Sequence, residues 1–364
     1  MRKKTMWLAV LGLAAVFSAG LAPGPARPQS AEDLFRQARA SRSADEQIRL
    51  YSAYLRLRPS EPAAYINRGV AYAEKKLLDL AIADYNKALQ LKPGYHLPHF
   101  NRGLAYQDKK LLDQAIGDFT HAIRLKPDYA RAYKSRASAY EDKKLLDLAV
   151  ADYTKAVQLD ATDAHSYWRR GVSYDIKDLR DLALADIAKA IQLRPGESTY
   201  YNSRGVVQGR KRLYDLAIAD YTKSIQLKPG FALPYRNRAV MYNRKRQYDL
   251  AKADYEKAVQ LGPEDPAANN SLAYFLATCA GPASCRDGKR AVELSLKAVG
   301  LSYSASYMDT LAAAYAESGR FEEAAKTQEQ AVSMLRQEKA GEARVAGYQK
   351  RVELYRAGKP YRAE

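Results

Sequence analysis

Few residues in this chain are equipped for chemistry. Of 364 residues, two are Cys and four are His. Cys279 and Cys285 flank the stretch Ala-Gly-Pro-Ala-Ser. That separation is too wide for the CxxC pair of thiol oxidoreductases. No His stands beside them, and two thiols alone cannot complete a zinc site. In an oxidising compartment the pair would instead close its small loop as a disulfide. His96 and His99 could share one helix face, but without further ligands they do not make a metal centre. No H-E-x-x-H, G-x-S-x-G or G-x-x-x-x-G-K is present. Acidic pairs abound, yet they recur at constant spacing and so belong to a scaffold. These residues point away from an enzyme and imply no cofactor, no metal and no small-molecule substrate.

The elements that must position these residues are set by composition and period. An apolar fraction of 47% excludes a disordered polymer. After residue 26 no apolar run is long enough to cross a bilayer. Residues 1–26 read as a secretory signal peptide: Arg2, Lys3 and Lys4, an apolar core from Met6 to Phe17, then small residues and prolines. Gly24-Pro25-Ala26 offers the cleavage site; Ala22 is disfavoured by Pro23. The expected location is periplasmic or secreted, the alternative an uncleaved N-terminal membrane anchor. The core is only about a dozen residues, against the roughly 18–20 a span needs.

Prolines recur at Pro59, Pro93, Pro127, Pro195, Pro229 and Pro263, a period of 34 with Ala161 in the missing place. A fixed period of this size marks stacked helix pairs. Residues 62–95 read Tyr65-x-x-Arg68-Gly69-x-x-Tyr72, then Ala81-x-x-x-Tyr85-x-x-Ala88, then Pro93. This pattern resembles the tetratricopeptide repeat family. Six regular units run over 62–265. A worn first unit occupies 27–61, a unit with a lengthened turn carrying the cysteines 266–304, and a last unit 305–338. Residues 339–364 are expected to form a capping helix and tail. The resemblance implies an all-α, right-handed solenoid of stacked antiparallel helix pairs, with first helices lining a concave groove. Each apolar stripe is buried only against the next unit.

The seventh place of the regular units, usually Leu in the family, holds Arg68, Arg102, Arg136, Arg170, Arg204 and Arg238. The twenty-third holds Asp84, Asp118, Asp152, Asp186, Asp220 and Asp254. Both types vanish together in the irregular units, so pairing within each unit strands no charge. A structural Arg–Asp ladder is expected. The turns between helices carry Lys75-Lys76, Lys109-Lys110, Lys143-Lys144, Lys211-Arg212 and Lys245-Arg246. These predict one basic edge.

The resemblance places the second, fifth, ninth, twelfth and thirteenth positions on the groove. Candidate partner-binding residues are Ile66, Phe100, Lys134, Trp168, Asn202, Arg236, Asn243 and Arg244. Trp168 in a groove would be an anchor. Some family members hold a peptide carboxylate with Lys at the fifth place and Asn at the ninth; Lys134 has Ser138 there, so that clamp is not carried over. The expectation is an exported, non-catalytic scaffold for a protein or peptide partner. The alternative is a binder of anionic envelope polymer or lipid through the basic edge. Export disfavours nucleic acid.

Overall fold

The structure, a computed structural model, describes residues 30–363. The expected signal peptide lies outside the described residues. Those residues form helices, one short 3-10 turn and an isolated bridge, and they divide into two units, 30–179 and 180–363.

In the first unit, α1 (Ala31–Ala40) pairs with α2 (Ala44–Leu57), α3 (Pro62–Glu74) with α4 (Leu78–Leu91), α5 (His96–Asp108) with α6 (Leu112–Leu125), and α7 (Ala130–Asp142) with α8 (Leu146–Leu159). The unit ends with α9 (Ala164–Ile176). In the second unit, α10 (Arg180–Leu193) is followed by the pairs α11 (Ser198–Arg210) with α12 (Tyr214–Leu227), and α13 (Ala232–Arg244) with α14 (Tyr248–Leu261). Next come α15 (Pro266–Thr278) with α16 (Gly288–Leu301), α17 (Ala305–Glu317) with α18 (Phe321–Gln337), and α19 (Glu342–Arg356), which lies on α18. Within each unit every second helix also packs on the following first helix, so the fold is an α-solenoid of stacked helix pairs.

Local sequence explains the helix ends. Ser30, Ser43, Asp163, Asp265, Asp287 and Ser304 cap N-termini with side-chain acceptors. The turn after α3 is closed from the other side: Lys76 N–H donates to Ala73 O and Leu77 N–H to Tyr72 O, each at 2.9 Å. This is a Schellman motif, which needs a left-handed residue. Lys76, Lys110, Lys144, Arg212 and Arg246 fill that place with φ between 59° and 64°. The eighth-place glycines are a packing device. A Cβ on Gly103 would come within 2.7 Å of the buried Phe119 ring.

The cores are aromatic and aliphatic seams between pairs. Phe100, Phe119 and Tyr129 pack together in the first unit, and Leu272, Phe275 and Leu276 beside the cysteines in the second. Cys279 and Cys285 form a disulfide around the 3-10 turn Ala283–Cys285. Arg286 holds this loop by donating Nη1 to Cys279 O at 3.0 Å and to Gly281 O at 2.8 Å.

Candidate functional site

The seventh-place arginines hold the first helices in place. Arg136 Nε and Nη2 donate to Asp152 Oδ2 and Oδ1 at 2.7 and 2.8 Å. The same two-pronged contact joins Arg68 to Asp84, Arg102 to Asp118, Arg204 to Asp220 and Arg238 to Asp254. Arg170 lies in the first unit and Asp186, buried, in the second. The remaining prong reaches back one repeat. Arg68 Nη1 donates to Ser52 Oγ at 3.0 Å, Arg136 to Thr120 Oγ1 at 2.9 Å, Arg170 to Thr154 Oγ1 at 3.1 Å and Arg238 to Thr222 Oγ1 at 2.9 Å; Arg102 reaches Asn86. Each guanidinium also lies against tyrosine rings three residues before or four after it; Arg136 has Tyr133 at 5.7 Å and Tyr140 at 5.8 Å. The repeated Tyr-x-x-Arg-x-x-x-Tyr spacing was the sequence signal for this sandwich.

One rung differs. In the 96–129 repeat His99 stands where the others have Tyr, and its Nδ1 lies 3.1 Å from Asp118 Oδ1. His99 stacks on His121 at 5.2 Å. Burial raises the Asp84 carboxyl above its ordinary range despite Arg68. Burial acts likewise on Asp118, but the hydrogen bonds from Arg102 and His99 together outweigh it and hold that carboxyl low. Among the described residues, no group of three or more His, Cys, Asp or Glu could hold a metal ion.

The expected basic edge is only half as positive as the sequence suggests. The first base of each turn is paired: Lys75 with Asp45, Lys109 with Asp79, Lys143 with Asp113, Lys177 with Asp147, Lys211 with Asp181 and Lys245 with Asp215. Each acid sits 30 residues earlier, in the preceding repeat. Half of the expected positive row is thereby neutralised. Lys76 also meets Asp108 at 2.8 Å. Lys110, Lys144, Arg212 and Arg246 are exposed and make no ion pair among the described residues.

The groove candidates separate into three kinds. Ile66 and Phe100 are buried, at 0% and 1% exposure, so neither lines an open surface. Phe100 instead packs on Phe119 and Tyr129 at ring distances of 5.8 and 5.0 Å. Asn202 is buried too, and accepts from Asn237 Nδ2 at 3.0 Å. Lys134 and Arg236 are half-buried and turned toward acids: Lys134 Nζ lies 2.8 Å from Asp163 Oδ2, and Arg236 Nη1 3.9 Å from Asp265 Oδ2. Both acids cap the following first helix, so these bases hold the caps of their neighbours. Trp168 and Asn243 are half-exposed and Arg244 exposed.

On α9 the candidate surface is continuous. Trp168, Val172 and Ile176 stand four residues apart and so share one face. Val172 is half-exposed and Ile176 is 60% exposed. Arg169 lies over the indole at 5.4 Å, and His165 meets its edge. Arg169 is itself held by Glu141, which also accepts from Tyr153 Oη at 2.8 Å and Ser173 Oγ at 2.7 Å. A fixed polar cluster thus backs an apolar, partly open stripe. The arrangement can grip an apolar side chain.

Family models described as tetratricopeptide repeat match residues 62–95, 100–164, 235–265 and 305–335. Among solved structures, the Cut9 and Hcn1 hetero-tetramer matches with a TM-score of 0.54 at 18% identity, over 78% of this chain and 54% of that one. The C-terminal part of a repeat-containing protein from Cytophaga hutchinsonii matches at 0.53 with 20% identity, over 66% and 98%. The pilF protein of Pseudomonas aeruginosa matches at 0.50 with 20% identity, over 59% and 95%. These likenesses are of fold. A search of curated proteins finds no match. Stacked helix pairs at a fixed period, recognised in four segments of the sequence, show that this chain carries tetratricopeptide repeats.

Proposed function

We propose that the chain is an exported, non-catalytic scaffold that binds a protein or peptide partner on the faces of its first helices. The stripe Trp168, Val172 and Ile176 carries this reading. Elsewhere in the array large apolar groups at the fifth place are buried, whereas here they are presented to solvent over a rigid backing. A half-exposed Trp beside an Arg is the residue pairing that anchors interfaces. The Cys279–Cys285 disulfide supports an oxidising compartment. N-terminal sequencing of the mature protein should then begin at Arg27; a chain starting at Met1 would count against cleavage.

The partner test uses a photo-crosslinking side chain at Val172 in intact cells. One dominant adduct is expected, lost when Trp168→Ala and Ile176→Asp are combined. Equal labelling from a control site at the exposed Lys155 would sink the reading. A second reading keeps the turn edge. Leu111 and Leu145, 42% exposed, stand beside Lys110 and Lys144 and would suit an anionic lipid surface. Vesicle binding that falls steeply with salt and ignores Trp168→Ala would favour it.

A further inference from the structure

The chain's last residues lie in its own trough. After α19 the tail turns at Gly358, whose φ is +67°, and runs back along the C-terminal ends of α15 and α17. Ala363 N–H donates to Thr278 O at 2.9 Å, and Ala363 forms a parallel bridge with Cys279. Arg362 Nη1 lies 2.6 Å from Glu317 Oε2 and 3.4 Å from Ala277 O. Tyr361 packs beside Ala312 and Tyr355, with the Arg351 guanidinium 5.1 Å from its ring. Glu317 has a second cation, Arg286 at 3.2 Å, which also holds the disulfide loop.

Ala277, Thr278 and Glu317 occupy the twelfth and thirteenth repeat places, the ones the family pattern assigns to the groove. At that thirteenth place Glu74, Asp142, Ile176, Arg210 and Arg244 are exposed. Thr278 is 1% exposed, and the Glu317 side chain 13%. The difference coincides with the tail. Three recognition elements are present together: a main-chain hydrogen bond to an extended segment, a carboxylate for a guanidinium, and an apolar seat for an aromatic ring.

We infer that the trough formed by α15 and α17 is a peptide site for an extended segment carrying an aromatic residue followed by arginine, and that the chain's own tail is its resident occupant. The tether is short, so the tail holds its seat at an effective concentration in the millimolar range, about. A free peptide must compete with it, and its apparent affinity falls by the fraction of time the seat is open. The site is separate from the α9 stripe, so either reading can fail without the other.

The probe is the fluorescein-labelled hexapeptide Lys-Pro-Tyr-Arg-Ala-Glu, titrated by fluorescence polarisation against the full-length protein and against an Arg362→Glu, Ala363→Pro variant. These changes set like charge on Glu317 and remove the N–H that Thr278 O receives. The variant should bind the peptide at least about tenfold more tightly than the parent. Adding Glu317→Gln, or Arg→Ala in the peptide, should remove that gain. Equal affinity for parent and variant, or a gain indifferent to the peptide's Arg, overturns the inference. Should the variant not melt cooperatively, hydrogen exchange of the parent decides. Excess peptide is expected to accelerate exchange at the Ala363 amide, and no acceleration overturns it.

Discussion

Arg136 serves two repeats with one guanidinium: Asp152 within its own and Thr120 in the preceding one. With its side chain 16% exposed, removing it would leave a buried carboxylate unpaired. Arg136→Leu should therefore destabilise the array by roughly 3–5 kcal/mol, and adding Asp152→Leu should recover much of the loss. Urea unfolding of both variants checks this; additive losses would mean the pair is not coupled. Asp118 gives the pH test. Its carboxyl is held below its ordinary value of 3.8, so the stability it lends is present above that value and lost as pH falls through the lower, folded value. His99→Ala removes one of the bonds responsible. The variant should be less stable at neutral pH and lose less on acidification, as urea titrations between about pH 2 and pH 5 will show. The Arg–Asp ladder was legible in sequence because both partners appear and disappear together. The ionic roles of Lys134 and Arg236 were not, because their partners stand at the last place of the same repeat, where they cap the following helix, and an aspartate fills that place in only two of the six regular units.

Helix pairs were legible from proline spacing and small residues, since those positions fix where helices end and how closely they approach. The turns were harder. A left-handed residue is commonly Gly, and Gly319 takes that place at φ +81° in the last repeat. In five of the six regular repeats the place is filled by a base, and in the 164–197 repeat by Asp178, residues that read in sequence as charge and not as geometry. Lys144→Gly should raise the unfolding midpoint by relieving a backbone strain of about 1 kcal/mol, partly offset by glycine's larger unfolded-state entropy. Lys144→Val should lower it, because a β-branched residue fits that conformation poorly. Thermal melts of the two variants separate in opposite directions if the turn is as described. The fifth place was misread at Ile66 and Phe100 because a position near the groove is open only when the next repeat leaves it uncovered. Periodicity fixes the direction a side chain leaves the helix but not what meets it.

At the scale of the whole chain, a net charge of +18 coexists with paired cations in almost every repeat. The surplus therefore rests on bases outside these pairs, Lys110, Lys144, Arg212 and Arg246 among them. Stability in such an array is a sum over neighbouring repeats. The disulfide closes a loop between positions only six apart, so Cys279→Ser with Cys285→Ser should cost roughly 2 kcal/mol, felt most in the last repeats. Unfolding monitored in the second unit would show this, and an unchanged midpoint would mean that Arg286 alone holds the loop.

The 30-residue offset between Lys and Asp makes neighbouring repeats interchangeable links. If residues 96–129 were excised, Asp79 would receive Lys143 in place of Lys109, and Asn86 would receive Arg136 in place of Arg102. No charge would be orphaned at the splice. A cut made in mid-link would orphan several. Evolution can therefore lengthen or shorten this chain only in whole links, and a shortened version should still melt as one cooperative piece.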